Sequence, residues 1–505
     1  MTYLTVPIMV LDLDDALQQA RQAKALGAEL VEYRIDRFAG DASEIVVFLA
    51  ASPLPCILTC RPTWEGGDYA GTEDDRLALL EAVCTSKHPP TYVDVEWAAA
   101  GRLSDGELGD VGVILSSHDF QTRPTDLLRR VADIASDDRG RVIKLAWHAR
   151  SLRDNLEAFQ IIRQQLKPTI ALCMGEHGLA SRVLAKKFGA LLTFASLEAG
   201  AETAPGQPSL TQLKTLYRWD HLNADTQVFG VIGHPVGHSM SPLIHNAGFD
   251  ATGYNGIYLP LSIPPEYEHF KATVADWLAY KPLHFRGASV TIPHKQNLLR
   301  FVAEQQGEIE PLAQSIGAAN TLTVRDDGSL YASNTDYAAA LDAVCEGLQI
   351  TREQLAGKRV AILGAGGVAR AIVAGFAAYQ AHVTIYNRTR EKADALAQAF
   401  GVEVGEMDQL PGAHHEVWIN CTSLGMFPQV DATPVPIAPA WGPGTVVFDT
   451  IYNPSETRLL GDAKAAGCHT IAGTEMFTRQ AAAQFALWTG QVAPRDVFAK
   501  VLQAR

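Results

Sequence analysis

Eight short, largely β-branched runs punctuate the chain up to about residue 220, at Thr5–Val10, Leu30–Asp36, Cys56–Cys60, Tyr92–Glu96, Gly112–His118, Arg141–Trp147, Thr169–Met174 and Leu191–Ser196. Amphipathic segments such as DDALQQARQAKALG and DNLEAFQIIRQQL separate most of them. Strand-length apolar runs alternating with helix-length amphipathic segments imply parallel strands joined by helical crossovers. Eight such units fit an α/β architecture closed into a (β/α)8 barrel. The gap between the fourth and fifth runs is short for a full crossover helix.

In such a barrel the carboxyl ends of the strands converge on one face, where active sites form. Glu32, Arg34, Glu96, His118 and Lys144 lie in or at the ends of these runs, and Arg61 follows the third. A lysine among other cations and apolar walls loses its proton more easily and attacks a ketone. The iminium that results acidifies the neighbouring C–H bond. His118 has the ordinary pKa of a physiological base. Glu96 is placed to orient its imidazole, and arginines hold a substrate carboxylate through paired hydrogen bonds.

The motifs EYRIDRF, TCRPTWEGG, YVDVEW, SSHDF, KLAWH, GLASR and TAPGQ occur in that order and resemble those of type I 3-dehydroquinate dehydratases. The resemblance covers residues 1 to about 220. It implies that Lys144 forms the Schiff base, that His118 is general base and then acid, and that Glu96 is its partner. It further implies that Arg182 binds the substrate carboxylate, with Glu32, Arg34, Arg61, Thr203 and Gln207 also on the substrate. Thr203 stands where bacterial members often carry serine.

A polar stretch, Asn223–Thr226, then precedes a second pattern of alternating segments. Strand-like runs at Val228–Ile232, Ile257–Leu261 and Ala288–Ile292 lead to a hairpin whose turn is Asp327-Gly328. A further βα repeat runs from Arg359 to about Ile471. Within it, the apolar strand RVAILGA leads through Gly364, Gly366 and Ala369 into the helix-forming VARAIVAGFAAY. Strand, glycine loop and helix in succession mark a dinucleotide site. The next strand ends in Asn387-Arg388-Thr389-Arg390, with no acid to take a ribose 2′-hydroxyl. Cations there suit a 2′-phosphate, so NADP(H) is expected rather than NAD.

Lys295 and Asp336 are the acid–base candidates of this half. An ammonium can protonate the alkoxide formed when a ketone is reduced, and a carboxylate stabilises that ammonium. Ser239, Ser241, Thr291, Asn320 and Thr335 are candidates for reading the hydroxyls of a polyol-like ring. The segments GHPVGHSMSPLIHN, GASVTIPHK, GAANTL, NTD, GAGGVAR, NRT, NCTSLGM, FDTIYNP and GTEMFTRQA resemble shikimate dehydrogenases. That resemblance implies Lys295 and Asp336 as the catalytic pair and adds Gln480 to the substrate contacts. It assigns Gly364, Gly366, Gly367, Asn387, Arg388, Thr389 and Thr422 to the cofactor. Ser289 and Tyr337 depart from residues common among bacterial members.

Three regions are expected: a barrel at 1–222, a substrate lobe at 226–335 completed by helices at 476–505, and a Rossmann lobe at 336–475. The order of the two halves is similar to that of the fused enzyme of plants. It implies dehydration of 3-dehydroquinate to 3-dehydroshikimate, followed by reduction to shikimate. The alternatives are a quinate dehydrogenase in the second half, or a non-catalytic regulator built from the same domains.

Composition restricts the partners. Of 505 residues, 19% are charged and the net charge is -14, which excludes the basic stripe of a nucleic-acid binder. Seven scattered cysteines form no CxxC pair, so no metal is expected and the thiols are read as reduced. The first segment reaches Asp12 without a basic stretch, and no apolar run spans a membrane. A cytoplasmic protein is therefore expected, with a trimmed plastid form as the alternative.

Overall fold

The computed structural model describes residues 2–503 apart from 104–107, 199, 201–205, 436, 438 and 440. Thr203 thus lies outside the described residues. The chain divides into two compact units. The first comprises residues 1–228, 255–263 and 272–285; the second comprises 229–254, 264–271 and 286–505. The first break between them falls after Val228, two residues beyond the Asn223–Thr226 stretch. That stretch folds on itself, Asn223 N donating to Thr226 Oγ1 at 2.9 Å.

In the first unit eight strands form one parallel sheet: β1 (Tyr3–Met9), β2 (Leu30–Arg34), β3 (Cys56–Thr59), β4 (Tyr92–Glu96), β5 (Gly112–Asp119), β6 (Val142–His148), β7 (Thr169–Met174) and β8 (Leu192–Phe194). From β1 to β7 each pairs with its sequence neighbour, and β8 pairs with β1. Leu191 closes the ring, its N–H donating to Thr169 O at 2.9 Å while its carbonyl accepts from Tyr3 N. The expected barrel is therefore present. Its crossover helices begin where the sequence supplies caps: Asp12, Asp41 and Thr72 each accept from backbone N–H groups of the first turn. Among the described residues between β4 and β5 there is a short 3-10 segment, Trp97–Arg102, in keeping with the narrow gap in the sequence.

Side chains alternate across each strand, so every second residue enters the barrel. Leu30, Ile57, Ile114, Val142, Ile170 and Leu192 form an apolar layer inside it. Two residues further along five of those strands stand Glu32, Thr59, Ser116, Lys144 and Phe194. Another step brings Arg34, Arg61 and His118. The barrel is apolar at one end and charged toward the carboxyl ends of its strands.

A six-stranded mixed sheet contains β9 (Gln227–Gly233), β10 (Gly256–Ser262), β11 (Phe285–Val290), β12 (Glu308–Ile309), β13 (Thr321–Val324) and β14 (Leu330–Ser333), in the order β10-β9-β11-β13-β14-β12. The hairpin β13–β14 is where the Asp327-Gly328 turn places it. Helix Gly473–Thr489 returns to this sheet: Gln484 Nε2 donates to Thr321 Oγ1 at 3.0 Å and Trp488 Nε1 to Leu322 O at 3.0 Å.

A third sheet is wholly parallel, built from β15 (Arg359–Leu363), β16 (His382–Tyr386), β17 (Glu403–Val404), β18 (Val417–Asn420), β19 (Val446–Asp449) and β20 (His469–Ile471). Its order, β17-β16-β15-β18-β19-β20, reverses direction after β15. Open α/β sheets bind ligands at the carboxyl ends of the strands beside such a reversal. Among the described residues no helix is long and apolar enough to cross a membrane.

Candidate active sites

Inside the barrel Lys144, 4% exposed, projects from β6 with its Nζ 2.6 Å from Asp94 Oδ2 and 3.4 Å from Glu32 Oε1. Glu32 is steadied by Thr59, whose hydroxyl donates to Oε1 at 2.8 Å. The Phe194 ring lies 4.9 Å from the ammonium on another side. Arg61 reaches Asp94 Oδ1 at 2.9 Å, Glu96 Oε1 at 2.5 Å and Ser116 Oγ at 2.8 Å. Arg76, fully buried, holds the far side of Glu96 with Nη2 2.6 Å from Oε2. Arg34 pairs with Asp36, which also accepts from Arg61 N.

Glu96 is therefore not the partner of His118. Its carboxylate is occupied by Arg61 and Arg76. The carboxylate at His118 is that of Glu65, from the 3-10 turn Thr63–Glu65. Its Oε1 accepts from His118 N at 2.6 Å and lies 3.3 Å from Nδ1. Glu65 sits inside the TCRPTWEGG segment, four residues after Arg61, so the motif contained it. The alternation that turns Glu96 inward likewise turns Asp94 inward, and YVDVEW held that signal too.

Electrostatics separate these groups. Burial, reinforced by Arg61 and Lys144, holds the His118 imidazole well below its ordinary value and keeps it neutral. Burial raises Glu65 to about 7, against the opposing pull of Arg61. Burial also opposes ionisation of Asp94, but Arg61 and Lys144 outweigh it and hold that carboxyl well below the usual range.

Arg182, in the short helix Leu179–Val183, is 1% exposed. Among the described residues no acceptor meets its Nε or Nη2, and burial lowers it to about 10. A buried cation without a counter-charge fits an incoming anion. Gln207 is also buried, 4% exposed.

In the second unit Lys295 opens the helix Lys295–Glu304 and Asp336 lies in the first turn of helix Thr335–Leu348. Lys295 Nζ is 2.6 Å from Asp336 Oδ2. Asn334 caps the second helix, accepting from Asp336 N at 3.0 Å. The pair borders a cavity of about 390 Å³, also lined by Ser239, Ser241, Thr291, Asn320 and Gln480. Ser289, Tyr452 and Gln484 line it as well and were not among the expected contacts. Thr335 is not on the lining. Its hydroxyl and N–H both donate to Asn320 Oδ1, at 3.1 and 2.8 Å, so it positions Asn320 instead. Tyr337 hydrogen-bonds to Glu310 and is likewise off the lining.

A second cavity, about 500 Å³, is bordered by Gly364, Gly366, Asn387, Arg388, Thr389, Lys392 and Thr422. Gly364 has φ +109°, and a Cβ there would lie 3.0 Å from Thr422 Cγ2 and 3.2 Å from the Cys421 backbone. Gly366 is the N-cap and Gly367 the first residue of helix Gly367–Ala378. The amides of that end favour a phosphate group. Arg390 is tied to Asp394 at 2.8 Å and to Glu406, which leaves Arg388 and Lys392 as the cations on the cavity. This donor set fits a phosphorylated dinucleotide. Among the described residues no group of three His, Cys, Asp or Glu is placed to hold a metal ion.

Two sites of this kind define an enzyme with a lysine–histidine barrel and a dinucleotide-binding oxidoreductase unit. Family models match both parts: type I 3-dehydroquinase over residues 4–224, and the shikimate dehydrogenase substrate-binding domain over 231–322. Shikimate/quinate 5-dehydrogenase matches over 347–425, and the shikimate 5'-dehydrogenase C-terminal domain over 473–503. The chloroplastic bifunctional 3-dehydroquinate dehydratase/shikimate dehydrogenase of Arabidopsis thaliana is 36% identical over 99% of this chain and 84% of its own length. The NADP(+) shikimate dehydrogenase of Moorella thermoacetica is 39% identical over 56% of this chain and 94% of its own. A crystal structure of a shikimate dehydrogenase in complex with NADP+ is 37% identical, covers 56% of this chain and 96% of that one, and superposes with a TM-score of 0.50. The chain belongs to the family of fused type I 3-dehydroquinase–shikimate dehydrogenases.

Two stability measurements check the barrel geometry. Replacing Arg182 by Met removes a buried cation that meets no counter-charge among the described residues, so thermal unfolding of the ligand-free chain should shift upward; a lowered midpoint contradicts the unpaired state. Glu65 is raised above its unfolded value, so its contribution to stability is present below about pH 4 and is lost as pH rises through about 7. Urea unfolding across that window should therefore show Glu65→Gln gaining about 3 kcal/mol on the wild type. Parallel pH profiles would show that Glu65 titrates normally.

Proposed function

We propose that this chain is a bifunctional 3-dehydroquinate dehydratase/shikimate dehydrogenase of the shikimate pathway, with residues 1–222 as the dehydratase. Residues 226–335 with 476–505 form the substrate lobe of the dehydrogenase, and 336–475 its cofactor lobe. The observation that carries the reading is Lys144, a buried amine inside the barrel beside a neutral imidazole.

In the barrel the Lys144 amine condenses with the ring ketone of 3-dehydroquinate and releases water. Arg182 supplies the missing counter-charge to the substrate carboxylate, and Glu32, Arg34, Arg61, Gln207 and Thr203 contact the ring. Neutral His118 removes the proton made acidic by the iminium, and the resulting imidazolium gives a proton to the departing hydroxyl. Glu65, rather than Glu96, steadies that imidazolium. Hydrolysis of the imine frees 3-dehydroshikimate.

In the second unit Ser239, Ser241, Thr291, Asn320 and Gln480 orient 3-dehydroshikimate in the cavity beside Lys295. Gly364, Gly366, Gly367, Asn387, Thr389 and Thr422 would hold NADP(H), with Arg388 and Lys392 on its 2′-phosphate. When bound, the reduced cofactor supplies the hydride. Lys295 delivers the proton to the ketone oxygen, and Asp336 holds the ammonium in place. The product of the first site is the substrate of the second. Seven unpaired thiols fit a reducing compartment, and we place the protein in the cytoplasm; its Arabidopsis relative is chloroplastic.

Borohydride added with 3-dehydroquinate should leave a covalent adduct on Lys144, located by peptide mass spectrometry. An adduct on another lysine, or none, refutes the imine. Lys295→Ala should slow NADPH-dependent reduction of 3-dehydroshikimate by roughly 100- to 10,000-fold and spare dehydration. Loss of both activities, read by ultraviolet absorbance, would contradict independent sites.

A further inference from the structure

Lys144 shares its ammonium with one carboxylate at close range, and that carboxylate cannot move away. Asp94 is fully buried, with Oδ2 2.6 Å from Lys144 Nζ. Its other oxygen, Oδ1, accepts from Ser116 Oγ at 2.6 Å and faces Arg61 Nη2 at 2.9 Å. Glu32, the next nearest carboxylate, stands 3.4 Å from Nζ and already accepts from Thr59. We propose that Asp94 is a catalytic residue of the barrel, the fixed counter-ion that keeps the Lys144 nitrogen positively charged as ammonium and then as iminium.

The proposal rests on the reading of Lys144 as the imine-forming amine. The ammonium passes one proton to the ketone oxygen so that the Lys144 amine can attack, and the condensation makes one C=N bond and breaks the C=O bond. Two of the three ammonium protons leave with the carbonyl oxygen as water, and one stays on nitrogen. The positive charge therefore occupies the same atom before and after. In a buried site that conservation matters, because a charge stripped of its partner is strongly unfavourable there. Asp94 serves both states without moving, since Ser116 and Arg61 hold it. Only the protonated imine withdraws electrons strongly enough to acidify the adjacent C–H bond. A carboxylate at contact distance keeps the imine in that form.

The test uses the full chain with 3-dehydroquinate and borohydride, which reduces the protonated imine. Adduct on Lys144 is measured by mass spectrometry across pH for the wild type, Asp94→Asn, Asp94→Ser and Asp94→Glu. Circular dichroism checks that each is folded, and the isosteric Asn and the smaller Ser remove the charge in different ways. In the neutral variants the pH above which trapping fails should fall by about 1–3 units. Their kcat for dehydration should drop roughly 100-fold. Asp94→Glu should restore the trapping profile because it restores the charge. Neutral variants with wild-type midpoint and kcat overturn the counter-ion. An absence of adduct on Lys144 in the wild type itself overturns the imine reading beneath it, and the two failures are thereby distinguished.

Discussion

The barrel depends on a chain of alternating charges held out of water. Lys144, Asp94, Arg61, Glu96 and Arg76 follow one another in contact, and each is at most 4% exposed. Removing one member of such a chain leaves its neighbour uncompensated, at a cost of about 3–5 kcal/mol. The chain joins β4, β6, the segment just after β3 and the helix Glu73–Cys84, so it ties Lys144 to the frame around it. Arg182 stands apart from this compensation. Among the described residues its Nε and Nη2 meet no acceptor.

The second unit manages charge differently. Lys295 and Asp336 form a single pair at the rim of a cavity, and the side chains behind it are neutral. Asn320 is the organising group there, accepting from Thr321, from Thr335 N–H and from the Thr335 hydroxyl. That network anchors the start of the helix carrying Asp336. The Lys295 side chain keeps 21% of its exposure. The barrel lysine, at 5%, does not.

Much of this was legible in the linear order of residues. Strand periodicity places Glu32, Lys144 and His118 on inward positions without any tertiary information, because alternation is a local property of the extended chain. The glycine fingerprint was equally readable, since its strand, turn and helix are contiguous. What misled was pairing. Glu65 lies four residues after Arg61 in sequence and Glu96 lies in the next strand, and only the packed barrel shows which of them faces His118. Residue type alone gives Thr335 the same chemistry as the cavity-lining hydroxyls, but its hydroxyl turns to Asn320 instead.

By itself the sequence determined the two architectures, the inward placement of Lys144 and the family to which the chain belongs. Those follow from periodicity and from motifs whose parts are adjacent along the chain. The tertiary structure alone decided that Asp94 and not Glu32 is the close partner of Lys144, that Glu65 lies against His118, and that Arg182 meets no counter-charge among the described residues. The physical reason is that electrostatic partners are chosen by distance and burial. Both are set by strand register and side-chain packing, and neither is written in the spacing of residues along the chain.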